Sequence, residues 1–270
     1  MVKVLVGILS VGESQEARCL QAIRRQKYVS VDYFKIHNLP NKLAHSTLYK
    51  RFMKESLNYD FMFKIDADMI LLSNTTLFHS LEYFTENIDH CVFPLHDFFT
   101  NTSIYGLHAF RTGCIWPVTN DSMFVDKDPI YNGRKLVVED LILASHGWEA
   151  TAEECFSFGY HRATKVLQRG RFRKNYFQAG SQLVHLEKCF DIAEASSFTD
   201  VRTYVLRGAL ASFKGGGRYV SRDNIRIKFE KAGIERDSCF ITIFNHGSSL
   251  NRLLRFMYVV IPKIAYNLVK

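Results

Sequence analysis

Residues 61–72 read Phe-Met-Phe-Lys-Ile-Asp-Ala-Asp-Met-Ile-Leu-Leu, an apolar run that delivers two carboxylates one residue apart, Asp66 and Asp68. A strand here carries the first carboxylate at its end and the second on the turn that follows, so both can approach one divalent cation. Mg2+ or Mn2+, held by one or two carboxylates with water and a diphosphate completing the shell, needs such an arrangement. A bare Asp-x-Asp arises often by chance, and a pair of solvated turn aspartates is the plainer alternative. Two strand–helix units ahead of the motif make it more specific. A second chemical signal lies between Cys155 and Leu186, which hold no Asp or Glu but do hold Arg162, Lys165, Arg169, Arg171, Arg173 and Lys174. Arg162, Lys165 and Arg169 are spaced to share one helical face, which can gather diphosphate charge or simply be solvated. The segment 251–270 sets Leu253, Leu254, Phe256, Met257, Val259 and Ile261 beside Arg252, Arg255 and Lys263. That mixture suits an anionic membrane surface, or a helix capping the core.

The elements that must position Asp66 and Asp68 alternate regularly. Val2–Ser10 is a near-continuous apolar run, as expected of a strand buried on both faces. Glu13–Lys27 places Ala17, Leu20 and Ile23 at helical spacing. Val29–Ile36 is strand-like, Lys42–Leu57 helical, Tyr59–Ile65 a third strand and Thr75–Phe84 helical again. Strand-helix-strand-helix-strand predicts an α/β layer with a mostly parallel sheet, whose ligands sit at the carboxyl ends of the strands. Cys91–Leu95 and Tyr105–Ile115 read as further strands. Thr151-Ala-Glu-Glu154 is a capping box that opens a helix to about Gln168, stopped by Gly170. Another helix runs from Ser197-Phe-Thr-Asp200 through Ser212 to Gly215-Gly-Gly217, and the end of the chain is mostly helical.

The whole composition sets the outer bounds. The chain has 270 residues, 47% hydrophobic and 23% charged, which excludes a collagenous, low-complexity or wholly disordered protein. Lys and Arg total 35 against 27 Asp and Glu, a net charge of +8 that favours anionic partners. No nucleic-acid-binding motif is present, so nucleic acid is not an expected partner. The six cysteines contain no Cys-x-x-Cys pair, and most lie in apolar runs, so buried reduced thiols are expected. Met1–Val11 reads as a first strand rather than a signal peptide, and no stretch approaches the roughly 18 apolar residues of a membrane span. Together these place the chain in the cytoplasm, with a peripheral position on the inner membrane face if the terminal segment binds lipid.

Asn41-Lys42-Leu-Ala-His45-Ser-Thr-Leu-Tyr-Lys-Arg-Phe, followed by Tyr59–Leu72, resembles the nucleotide-binding half of GT-A glycosyltransferases, family-2-like enzymes of bacterial surface-polysaccharide synthesis above all. Val4–Ser14 is similar to their first strand and nucleotide loop. Residues 105–170, including Ser145-His146-Gly-Trp148, resemble them more weakly, and the likeness is gone after about residue 190. It implies a GT-A-like, Rossmann-related sheet flanked by helices, with a helical C-terminal part, in one glycosyltransferase domain over 1–270. Residues 1–100 would be the nucleotide-sugar half, 101–190 the acceptor and catalytic half, and 191–270 the helical part.

The implied activity is transfer of a sugar from a nucleotide-diphosphate donor to a glycan or lipid-diphosphate-linked acceptor, inverting by family expectation. Leu9, Ser10, Glu13, Lys42, His45, Asp66, Ala67 and Asp68 would line the donor. Asp66, Asp68 and His146, with His185 as second choice for the histidine, would hold Mn2+ or Mg2+. Asp140, beside Glu139, would be the general base, with Asp126 and Asp128 as competitors. Arg162, Lys165 and Arg169 would receive the acceptor diphosphate. The aspartate that holds the base in many relatives has no counterpart in Phe34-Lys-Ile-His37-Asn-Leu, so the base stays open. Two other classes compete: a haloacid-dehalogenase-type phosphohydrolase using Asp66 as nucleophile, and a non-enzymatic basic module that binds anions or membrane.

Overall fold

The computed structural model describes residues 1–117, 128–169, 176–215, 224–225 and 227–229. The chain divides into two compact units, Met1–Ala150 and Thr151–Lys270. The first contains β1 (Lys3–Ser10), α1 (Glu16–Arg24), β2 (Ser30–His37), α2 (Asn41–Glu55), β3 (Phe61–Asp66), β4 (Met69–Leu71), α3 (Thr76–Leu81), β5 (Ile88–Asp97), β6 (Thr102–Arg111), β7 (Arg134–Val137) and β8 (Ala144–His146). Its sheet runs β2-β1-β3-β6-β5-β8-β4, with β7 also paired to β5.

Pairing is parallel for β1 with β2 and β3, and for β5 with β7 and β8. It is antiparallel where β6 meets β3 and β5, and where β4 meets β8. The sheet is therefore mixed rather than mostly parallel. The reason is local: only the short connection 98–101 joins β5 to β6, too short for a crossover helix, so the chain must turn back on itself.

The central position of β1 explains its unbroken apolar run. Val4, Val6 and Ile8 enter one core cluster, with Cys19 and Ile23 of α1. Leu5 and Leu9 enter another on the opposite face, with Ala44, Leu48 and Phe52 of α2 at four-residue spacing. Gly7 lets α2 approach closely, because a Cβ there would stand 2.9 Å from the Phe52 ring and 3.0 Å from Leu48. At the edge of the sheet β2 buries only Phe34 and Ile36.

The second unit is built on α4 (Ala152–Arg169), α5 (Tyr176–Ala195) and α6 (Thr203–Lys214). The capping box forms as expected: the Thr151 N–H donates to Glu154 Oε2 at 2.8 Å, and the Glu154 N–H to Thr151 Oγ1 at 3.2 Å. Helices α4 and α6 touch through reciprocal glycines. A Cβ on Gly159 would overlap the Val205 carbonyl, and one on Gly208 the Phe156 carbonyl. Thr164 and Ser212 pair their hydroxyls at 2.8 Å in the same buried contact. Five cysteines, Cys19, Cys91, Cys114, Cys155 and Cys189, are buried free thiols. Burial pushes Cys19, Cys91, Cys114 and Cys155 up to about 12, so these are packing residues rather than nucleophiles.

Candidate metal and diphosphate site

Strands β1, β2, β3, β5 and β8 point the same way, so their last residues, Ser10, His37, Asp66, Asp97 and His146, share one edge of the sheet. Asp97 and His146 are register partners across β5 and β8, and His146 is also opposite Met69, the residue after Asp68. This register makes a chain of contacts. Asp68 Oδ2 lies 3.1 Å from His146 Nε2, and His146 Nδ1 lies 2.6 Å from Asp97 Oδ1. The other Asp97 oxygen accepts from the Thr100 N–H at 2.9 Å and from the Thr100 hydroxyl. The backbone holds the same turn: Gly147 N–H donates to Asp68 O at 2.9 Å, and Phe98 N–H to His146 O at 2.9 Å.

The charges follow from that geometry. Burial alone would lower the His146 pKa, but the Asp68 charge and hydrogen bond, joined by those of Asp97, carry it up to about 10. Burial works against both carboxylates as well. His146 overcomes it at Asp68, and His146 with Thr100 overcomes it at Asp97, so both are held below the usual carboxylate range. Without a metal, an imidazolium therefore bridges two carboxylates.

Asp68 and His146 are two side chains of the types a divalent cation takes as ligands. Asp68 Oδ1 is buried and has no hydrogen-bond partner. Two cis ligands of an octahedral ion with bonds of about 2.1 Å stand about 3.0 Å apart, close to the 3.1 Å between Asp68 Oδ2 and His146 Nε2. Carboxylate with imidazole suits Mn2+ somewhat better than Mg2+. Among the described residues, no three His, Cys, Asp or Glu side chains converge as a metal-holding group. Asp66 instead faces Lys64, a lysine only 3% exposed, whose Nζ is 3.4 Å from Asp66 Oδ1.

Beside Asp66 the end of β1 carries a second polar knot. Ser10 Oγ donates to Glu16, accepts from the Gly12 N–H at 3.1 Å and lies 3.3 Å from His37 Nδ1. Lys35 also bonds Glu16; that bond and the Ser10 bond hold the Glu16 carboxyl low. Leu9 is buried and its carbonyl accepts from the buried Ala67 N–H at 2.8 Å. Glu13 accepts from the Val11 N–H at 2.9 Å. Lys42 is exposed on the first turn of α2, whereas His45 is buried with Nδ1 3.0 Å from Asn41 O.

The remaining expected residues lie elsewhere. Glu139 and Asp140 are exposed on the loop between β7 and β8. The register pairs Val137 with Val92 and Ala144 with Leu95, so that loop departs alongside the middle of β5 rather than at its carboxyl end. Asp128 is ion-paired with Lys135 at 2.8 Å, and Asp126 lies outside the described residues. His185 is on α5 in the second unit. Arg162 donates to Gln182 Oε1 at 2.7 Å and covers the Phe158 ring at 4.6 Å. Lys165 is half-buried on α4; the Arg169 side chain and the segment 251–270 lie outside the described residues.

Comparison with known proteins adds little. No family profile and no curated protein matches the chain. Among solved structures, the crystal structure of S. aureus TarS 1–349 is similar with a TM-score of 0.36 at 10% identity, covering 100% of this chain and 92% of that one. A likeness of that size carries no argument.

Asp97 and Thr100 were missed in the sequence. The available signal was Asp-Phe-Phe-Thr at the end of the apolar strand 91–95, a side chain placed to cap its own turn.

Proposed function

We propose that this chain is a nucleotide-sugar-dependent glycosyltransferase that holds a divalent cation, Mn2+ or Mg2+, through Asp68 and His146. The observation that supports this most is the orphaned Asp68 Oδ1, buried beside the 3.1 Å contact of Asp68 with His146, where the strands of an α/β sheet end. Such an edge is where this class of sheet binds its ligands. Bound there, the cation supplies Lewis-acid neutralisation of the departing diphosphate.

The chain's own residues do the rest. His146 and Asp68 fix the position of that charge, and Asp97 keeps the imidazole from rotating. Ser10 at the end of β1 and Glu13 just beyond it take the nucleotide with Lys42 and His45 of α2. Asp66, paired with the buried Lys64, borders the same edge. Asp140, or its neighbour Glu139, deprotonates the acceptor hydroxyl, which belongs to a glycan or a lipid-diphosphate-linked glycan.

The test is a panel of nucleotide-sugars incubated with the full chain and Mn2+, following release of nucleoside diphosphate. Cation-dependent release from at least one donor is expected. Release of inorganic phosphate together with an aspartyl-phosphate on Asp66 would replace this reading with the phosphohydrolase.

A further inference from the structure

The geometry points to Asp97 as a positioning residue that aims His146 Nε2 at the cation position, with Thr100 locking Asp97 in turn. This rests on the metal reading of Asp68 and His146 given above and extends it to residues that do not touch the ion. Asp97 is only 1% exposed and uses both carboxylate oxygens: one on His146 Nδ1 at 2.6 Å, the other on the Thr100 N–H and hydroxyl. Thr100 is itself 2% exposed, and its hydroxyl lies 2.9 Å from Thr102 Oγ1 at the start of β6. The orientation of the imidazole is thus tied to the β5–β6 turn.

The Phe99 ring packs against His146 in a T-shaped arrangement with centroids 5.5 Å apart. Gly147, at φ +67°, has no room for a Cβ against the same Phe99 ring. With Nδ1 committed to Asp97, only Nε2 is left to face Asp68. A carboxylate on the far nitrogen of a ligating histidine fixes the ring and raises its basicity, and losing such a partner typically costs roughly 10–100-fold in metal affinity. A burial-only role for Asp97 makes a different prediction: its loss would lower stability without changing which nitrogen reaches the ion.

The experiment uses the full chain with Mn2+ and inorganic pyrophosphate as the probe, read by electron paramagnetic resonance. Affinity comes from the titration, and ligation by histidine comes from 14N modulation of the Mn2+ signal. Wild type should show 14N modulation. Asp97→Asn cannot accept from both His146 and Thr100, because its amide nitrogen only donates. It should bind about 10–100-fold more weakly and lose most of the modulation at saturating Mn2+. Thr100→Val keeps the backbone donor and should shift affinity in the same direction by less. It also provides the test if Asp97→Asn folds poorly. Wild-type affinity and undiminished 14N modulation in both variants would overturn the role of Asp97 while leaving the metal site standing. Absence of 14N modulation in wild type would overturn the ligation by His146 itself.

Discussion

His90 sits in β5 with no solvent exposure, its Nε2 3.1 Å from His108 Nδ1 and its ring stacked on Phe110 with centroids 4.5 Å apart. Burial, followed by the charges of His108 and Lys135, lowers its pKa from 6.5 to about 3; Asp128, 3.7 Å from Nδ1, opposes the shift only weakly. A histidine depressed in the folded state favours folding fully above its unfolded value, and that contribution falls as pH drops from 6.5 toward 3. At pH 5 the unfolded chain is protonated at this position and the folded chain is not. Linkage then gives a loss of RT ln(1 + 10^1.5), about 2 kcal/mol, against nearly nothing at pH 7.5. The result barely depends on the folded value as long as it stays well under 5. Urea unfolding of wild type and His90→Phe at pH 7.5 and pH 5.0, each repeated in a His108→Phe background, isolates the effect, since titrating groups remote from His90 cancel in the difference. Wild type should lose about 2 kcal/mol more than the variant between the two pH values. Equal losses in the two proteins would mean that His90 is protonated inside the fold, and the reasoning fails.

Two further outcomes follow from packing and from the proposed chemistry. Gly208→Ala should destabilise the second unit by about 3 kcal/mol, at the upper end of overpacking costs because the obstacle is the Phe156 backbone. Adding Gly159→Ala should cost less than a second full increment, because both substitutions force the same separation of α4 and α6; additive melting shifts would refute the shared contact. Asp140→Asn should leave nucleoside-diphosphate binding intact while lowering turnover by roughly 10²–10⁴-fold. If Asp128→Asn shows that profile instead, the base is Asp128.

The first half of the fold was legible because it is locally encoded. The apolar run of β1, the Leu48, Phe52 and Met53 stripe of α2 and the capping box at Thr151 each declare themselves within a few residues. Strand direction is not encoded that way. Nothing in the pattern of Thr102–Arg111 says that it runs against β3; the short connection after Asp97 decides it. Helix α5 escaped notice because Leu183, Val184, Leu186, Cys189, Phe190, Ile192 and Ala193 spread around its circumference instead of forming one stripe. At the site, Asp68 and His146 were readable as residue types. The pairing of Asp66 with Lys64 was not, since alternation along a strand puts residues 64 and 66 on one face whether or not they interact. Asp97 was invisible because its partner His146 is 49 positions away.

Calorimetric titration of the full chain with a panel of nucleoside diphosphates, in Mn2+ and in excess chelator, tests the central claim most directly when repeated on Asp68→Asn. The account predicts that at least one nucleoside diphosphate binds only with the cation present. It also predicts that Asp68→Asn weakens that binding by about 100-fold, through loss of one of two protein ligands, and lowers the melting temperature in chelator because His146 loses its Asp68 partner. Binding that is as tight in chelator as in Mn2+, or unaffected by Asp68→Asn, would contradict a metal–diphosphate site at this edge of the sheet.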